Sequence, residues 1–304
     1  MSKPNIFIST SSFGEYDTLP LKLLNDAGMN VQLNPYQRQL TQNECISLFK
    51  DISGLIAGTE ALTAEVLKSA RKLKVISRCG VGLDNVDLEV AGQRGIQVFN
   101  TPNGPTVAVA ELTVSLILAL LRHVPHADRD IRAGKWQKRM GNLLQGKKVG
   151  IIGFGRIGEK VAELVQSFGA QVAYTDPAVD KSAYQRLSLD ELLAQSDIVS
   201  LHLSGGGKGT PLLNYRELRM MKQGSWLINC ARGGVVSEAD LYKVLQEGWL
   251  AGAALDVFDH EPYTGPLSKL DNVILTPHIG SYAVESRVTM EVEAVRNLLK
   301  GLKG

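Results

Sequence analysis

The sequence predicts an α/β protein made of two doubly wound parallel-sheet domains separated by a cleft. Three observations carry this prediction. Short apolar, β-like runs alternate with segments of helical period in two series along the 304 residues. A turn-rich break, Asn100-Thr101-Pro102-Asn103-Gly104-Pro105, separates the two series. One run of the second series, Lys148-Val149-Gly150-Ile151-Ile152, opens into Gly153-Phe154-Gly155-Arg156-Ile157-Gly158, the glycine pattern of a tight strand-to-helix turn. The length suits two domains, and 44% hydrophobic residues are enough to fill two cores.

In the first series, Asn5 to Ser9, Gly54 to Ala57, Leu73 to Arg78 and Ile96 to Asn100 read as strands, with helix-like periods between them. After the break comes a long helical segment, Thr106 to Arg122, and a polar stretch through Gln145. The second series offers strands at Val149–Gly153, Gln171–Thr175, Ile198–Leu203, Ser225–Asn229, Gly252–Leu255 and Asn272–Leu275. Ile157, Val161, Val165 and Phe168 fall at helical spacing, and Gly169 suits a helix stop. A final helix, about Ala283 to Leu302, follows the second series and can fold back on the first domain. The expected domains are therefore residues 1–98 plus 284–304, and residues 99–283.

Composition narrows the function classes. A formal charge of +2 leaves no electrostatic footprint for nucleic acid or an acidic membrane. Cys45, Cys79 and Cys230 are odd in number and at no metal-ligand spacing, which suits a reducing compartment and no metal. Met1-Ser2-Lys3-Pro4 lacks the apolar stretch of a secretory signal. Leu112 to Leu121 is too short to span a bilayer and reads as a buried or interface helix. A cytoplasmic protein is expected.

The glycine turn carries the first chemistry. Gly153 permits the turn, Gly155 lets backbone approach a pyrophosphate, and Gly158 lets helix pack on strand. The helix N-terminus, at Arg156 and Ile157, offers N–H groups and partial positive charge to that pyrophosphate. Asp176, eighteen residues past Gly158, ends the next apolar run. A carboxylate there accepts hydrogen bonds from ribose hydroxyls and repels a 2′-phosphate. Pro177 follows with no adjacent Arg, so NAD is favoured over NADP.

Ligands of open α/β sheets sit outside the carboxyl ends of the strands. Reading those ends in the second series yields Asn229-Cys230-Ala231-Arg232-Gly233-Gly234, then Asp256 with Glu261, then Pro277-His278-Ile279-Gly280. His278 can exchange a proton with a carbonyl oxygen, and Glu261 can fix its tautomer. The planar fork of Arg232 can grip a carboxylate. Taken singly, each has a plainer reading: a loop histidine, a helix-end arginine, a solvated glutamate before a proline. Their placement on one rim makes them a set suited to an anionic carbonyl substrate. In the first series, the glycines of Arg78-Cys79-Gly80-Val81-Gly82-Leu83-Asp84-Asn85 can present backbone N–H groups to a carboxylate.

With these motifs in this order, the chain resembles the D-isomer-specific 2-hydroxyacid dehydrogenases, nearest their phosphoglycerate dehydrogenase-like branch. The matching segments are Arg78 to Asn85, Asn100 to Gly104, the glycine turn, Asn229 to Gly234, Ala254 to Phe258 with Glu261-Pro262, and Pro277 to Gly280. The resemblance implies Rossmann or flavodoxin-like domains, catalytic residues Arg232, Glu261 and His278, and substrate-carboxylate binding by Gly80, Val81 and Gly82. It implies cofactor contacts from Cys230, Ala231, Asp256 and Gly280. It also implies a homodimer built by the helix and arm at about 106–145.

Which acid is used is less fixed. The resemblance makes D-3-phosphoglycerate and 3-phosphohydroxypyruvate the leading pair, Arg78 matching one cationic position used for the phosphate. Gly58 stands where better-studied members carry an Arg, Glu60 is acidic, and Pro105 replaces an Asn. Glyoxylate, hydroxypyruvate or another unphosphorylated 2-oxo acid is the alternative. A remoter one is an NAD-sensing corepressor that binds partner peptides, since a fold does not fix a function. No regulatory domain is expected after residue 304.

Overall fold

The computed structural model describes residues 3–180, 182–203 and 209–303; Met1 and Ser2, read above for a leader, and Gly304 lie outside them. The chain divides into two compact units, Met1–Pro105 with Ser281–Gly304, and Thr106–Gly280.

The first unit holds strands β1 (Asn5–Ile8), β2 (Asn30–Leu33), β3 (Gly54–Ala57), β4 (Val75–Arg78) and β5 (Gln97–Phe99). They pair in parallel in the order β2-β1-β3-β4-β5. β1, β3 and β4 are interior strands, which is why they read as continuous apolar runs. β2 escaped the sequence reading: Asn-Val-Gln-Leu is a mostly exposed edge strand with little apolar signal. Helix Val284–Lys303 belongs to this unit and buries Met290, Ala294, Val295 and Leu298 against Ile6, Ile8, Ile56 and Val75. Their i, i+4, i+5, i+8 spacing is one helix face, and full burial of each large side chain is worth roughly 1.5–3 kcal/mol.

The second unit holds β6 (Lys148–Ile152), β7 (Gln171–Thr175), β8 (Gln185–Arg186), β9 (Ile198–Leu201), β10 (Trp226–Asn229), β11 (Gly252–Leu255) and β12 (Val273–Leu275). The parallel order is β12-β11-β10-β9-β6-β7-β8. The chain builds outward from β6 toward β8, then returns to lay β9 on β6's other side. The glycine turn thus follows β6 at the switch point, where such sheets bind ligands. Helix Arg156–Ser167 buries Gly158, Val161, Ala162 and Val165. Phe168, expected on that face, is instead the exposed C-cap residue.

Helix Gly104–Arg122 is long and apolar enough to cross a membrane by composition alone. From Thr106 on it belongs to the second unit, where Ala110, Val114, Ile117 and Leu121 are buried in the core. It is a core helix. The next helix, Val124–Arg132, buries no residue, and Trp136 and Met140 beyond it are 84% and 92% exposed.

Candidate active site

The glycine turn separates into internal and external requirements. Gly153 has φ +90°, and a Cβ there would lie 2.6 Å from the His202 carbonyl oxygen. A Cβ at Gly158 would lie 2.2 Å from the Gly153 carbonyl oxygen. Gly155, the helix N-cap, has φ −77°, and a Cβ there would meet nothing within 4 Å. Among the described residues, no contact demands glycine at 155. Space left open before a helix N-terminus, with Arg156 and Ile157 as its first residues, fits a pyrophosphate approaching from outside.

Asp176, just past β7, turns its carboxylate to the backbone: Oδ2 accepts the Phe154 N–H at 2.7 Å and Oδ1 the Ala178 N–H at 2.7 Å. It therefore braces the glycine turn while lining a cavity of about 460 Å³ with Thr175, Pro177, Arg186, Leu187 and Ser188. Arg186 corrects the expectation that no arginine stands beside Asp176. The parallel register of β8 on β7 sets Arg186 opposite Tyr174, and its guanidinium bonds Asp180 and the Asp176 carbonyl. A two-residue edge strand left no periodic signal by which to find it.

Three further loops leave the same sheet on the far side of β6. After β10, buried Asn229 shapes the turn: its Oδ1 accepts the Ala231 N–H at 3.1 Å, and its Nδ2 donates to the Arg232 carbonyl at 3.1 Å. Half-buried Arg232 donates from Nη1 to the Ala231 carbonyl at 2.8 Å. The Cys230 thiol is buried and pushed up to about 12 by that burial, so it stays protonated.

After β11 and β12, an acid holds a turn. Asp256, 1% exposed, accepts the Thr276 hydroxyl (2.6 Å) and Ile279 N–H (2.8 Å) on Oδ1, and the Gly280 N–H (2.8 Å) on Oδ2. Between those donors His278 adopts φ +53°, a left-handed conformation that costs a non-glycine residue about 1–3 kcal/mol. The exposed ring meets Glu261, with Nδ1 2.9 Å from Oε2 and 3.1 Å from Oε1. Glu261 is itself oriented by the Phe258 N–H at 3.1 Å.

The structure thus brings His278 and Glu261 into contact and sets Arg232 on the adjoining strand's loop. Ala231, Asp256 and Gly280, the residues expected at the cofactor, also shape these turns: the Ala231 N–H donates to Asn229, and Asp256 accepts the Gly280 N–H. Asn229 and Thr276 were missed as turn-shaping residues because neither belongs to a charged or nucleophilic pattern.

In the first unit, the expected carboxylate loop follows β4. Gly80 is buried, and its N–H donates to the Thr101 hydroxyl at 2.7 Å. Val81 and Gly82 are half-exposed, and the Val81 carbonyl accepts from Asn100 Nδ2 at 2.7 Å. Arg78 donates to the Cys79 carbonyl at 3.1 Å. Burial pushes the Cys79 thiol up to about 11.

Residues 114–280 match the profile of the D-isomer specific 2-hydroxyacid dehydrogenase NAD binding domain. A glyoxylate reductase of Thermofilum pendens is 44% identical over 262 residues, covering 81% of this chain and 77% of its own. The human D-3-phosphoglycerate dehydrogenase is 39% identical over 292 residues, 93% of this chain. The chain spans 54% of that relative's length. The crystal structure of the TT0316 protein from Thermus thermophilus superposes with TM-score 0.92 at 38% identity, covering 99% of this chain and 97% of the other.

Proposed function

The chain belongs to the D-isomer specific 2-hydroxyacid dehydrogenase family of NAD(P)-dependent enzymes, and within it we propose an NAD-dependent reductase of small, unphosphorylated 2-oxo acids such as glyoxylate and hydroxypyruvate. The observation that carries the chemistry is the His278–Glu261 pair, held exposed on a clamped, left-handed turn. A dinucleotide held at the glycine turn and the N-terminus of helix Arg156–Ser167 would supply the hydride chemistry at the carbonyl carbon. Glu261 accepts the Nδ1–H of His278, which leaves Nε2 to deliver a proton to the carbonyl oxygen. Arg232 holds the substrate carboxylate and polarises the adjacent carbonyl. In the first unit, Val81 and Gly82 offer N–H groups to a carboxylate, and Gly80 shapes the loop.

NAD is proposed over NADP because Asp176 stands at the β7 tip and Arg186 is engaged by Asp180. Gly58 supports the unphosphorylated acid, since it brings no cation to the first unit's sheet edge. The phosphoglycerate reading keeps second place on Arg78 and the 39% relative. A homodimer in the cytoplasm is part of the proposal: exposed Trp136 and Met140 suit burial by a partner, and the buried cysteines are free.

The test is NADH oxidation with glyoxylate, hydroxypyruvate and 3-phosphohydroxypyruvate at matched concentrations. The expected kcat/KM for hydroxypyruvate equals or exceeds that for the phosphorylated acid. A hundredfold preference for the phosphorylated acid, about 2.7 kcal/mol of discrimination, would overturn the substrate reading and leave the reaction class standing.

A further inference from the structure

At the carboxyl edge of the first unit's sheet a glutamate lies buried. Glu60, in the loop after β3, is 1% exposed. Its Oε1 accepts the Ser9 hydroxyl at 2.5 Å, and the Gly58 N–H reaches Oε2 and Oε1 at 3.1 and 3.3 Å. That N–H also donates to Ser9 Oγ at 2.9 Å. Burial pushes the Glu60 carboxyl up, opposed by these hydrogen bonds and by the positive charge of Arg78.

The glutamate and the glycine form one device. A Cβ at Gly58 would come to 3.0 Å from Glu60 Oε2 and 3.4 Å from Thr10 Cγ2. A side chain at 58 therefore competes with the carboxylate's return onto the Gly58 amide. The loop is also fixed to the next one: Asn85 Nδ2 donates to the Glu60 carbonyl at 2.7 Å and the Gly58 carbonyl at 3.3 Å. The Cys79 N–H donates to the Ala57 carbonyl at 2.9 Å. Glu60 thus borders the strand-end edge that carries Arg78, Val81 and Gly82.

We propose that Glu60 is a specificity-determining residue, whose buried carboxylate balances Arg78 at this edge, so that the loop accepts a monoanionic 2-oxo acid and rejects one bearing a dianionic phosphate. The inference rests on the functional reading above and on the 80–82 loop as the carboxylate's site. A buried charge is screened by salt far less than an exposed one, so the discrimination persists at high ionic strength.

The test is the ratio of kcat/KM for 3-phosphohydroxypyruvate to that for hydroxypyruvate, in the wild type, E60Q, E60D and E60Q/R78Q. E60Q is expected to raise the ratio at least tenfold, chiefly through KM for the phosphorylated acid; E60D restores it, and R78Q added to E60Q removes the gain. A role in holding the loop alone would lower both kcat/KM values and leave the ratio where it was. That outcome overturns this inference and spares the functional reading. A wild type that already prefers the phosphorylated acid a hundredfold overturns both. Should E60Q fail to fold, inhibition of the wild type decides: 2-phosphoglycolate is expected to bind at least tenfold more weakly than glycolate, and equal affinities overturn the proposal.

Discussion

Each of the two sheets ends on a buried carboxylate, Glu60 in the first unit and Asp256 in the second, both 1% exposed. They use their oxygens differently. Asp256 takes three donors from one turn, Thr276, Ile279 and Gly280, and so holds an exposed histidine in a strained conformation. Glu60 turns back on its own loop, to Gly58, and to Ser9 just past the neighbouring β1. A carboxylate surrounded by donors from another loop positions that loop. Glu60, held by Ser9 and by its own loop's amide, is the acid proposed above to set charge at its edge. The contrast teaches that equal burial leaves a carboxylate's work open, and that the groups donating to it decide which loop it holds.

The largest expected effect tests what Asp256 holds. H278A should lower kcat by about 10²–10⁴-fold, the usual loss of a general acid, while NADH affinity measured by fluorescence titration stays nearly intact. Near-normal turnover would remove His278 as proton donor. D256N, measured by the same assay with a thermal melt, should lower kcat by about 10- to 100-fold through a misplaced ring. It should also cost about 1–3 kcal/mol, because an amide NH₂ replaces an acceptor facing backbone donors. If D256N loses stability but keeps kcat, Asp256 resembles Glu60 more than the comparison allows.

The glycines sharpen the same distinction between internal and external demands. G158A should destabilise the fold by about 1–3 kcal/mol, since its Cβ would press on a backbone carbonyl. G155A should shift stability by less than about 0.5 kcal/mol yet weaken NADH binding roughly tenfold by obstructing the pyrophosphate. A G155A enzyme with unchanged NADH affinity would place the cofactor elsewhere.

The smallest effect concerns pH. Burial lowers His202, just past β9, to about 3. The folded unit keeps this ring neutral, whereas the unfolded chain protonates it below about 6.5. Its contribution is therefore complete above pH 6.5 and is lost as pH falls toward 3, by at most about 1.4 kcal/mol per pH unit. Melting temperatures between pH 7 and pH 4 should fall less steeply for H202N than for the wild type; parallel curves would dismiss the assignment.

Much was legible in the chain itself. Interior strands announce themselves as apolar runs because both faces are covered, and β3, β7 and β11 occupy the residues their sequences indicated. The glycine turn was legible because its constraints are local: φ at Gly153 and a close packing distance at Gly158. The edge strands β2 and β8 were not, being short, polar and dependent on a neighbour's hydrogen bonds. Phe168 misled because helical spacing continues one residue past the point where its helix ends.

The sequence by itself determined the fold class, the order of the motifs and the residue types available at each strand end, since these follow from periodicity and composition along the chain. Only the tertiary structure decided where those groups spend their hydrogen bonds. It committed Asp256 and the Gly280 amide to the His278 turn, brought Arg186 beside Asp176 through strand register, and buried Glu60 against Ser9, 51 residues away in the chain. Hydrogen bonds and burial join residues distant in sequence, and no local pattern encodes which distant partner a polar group will find.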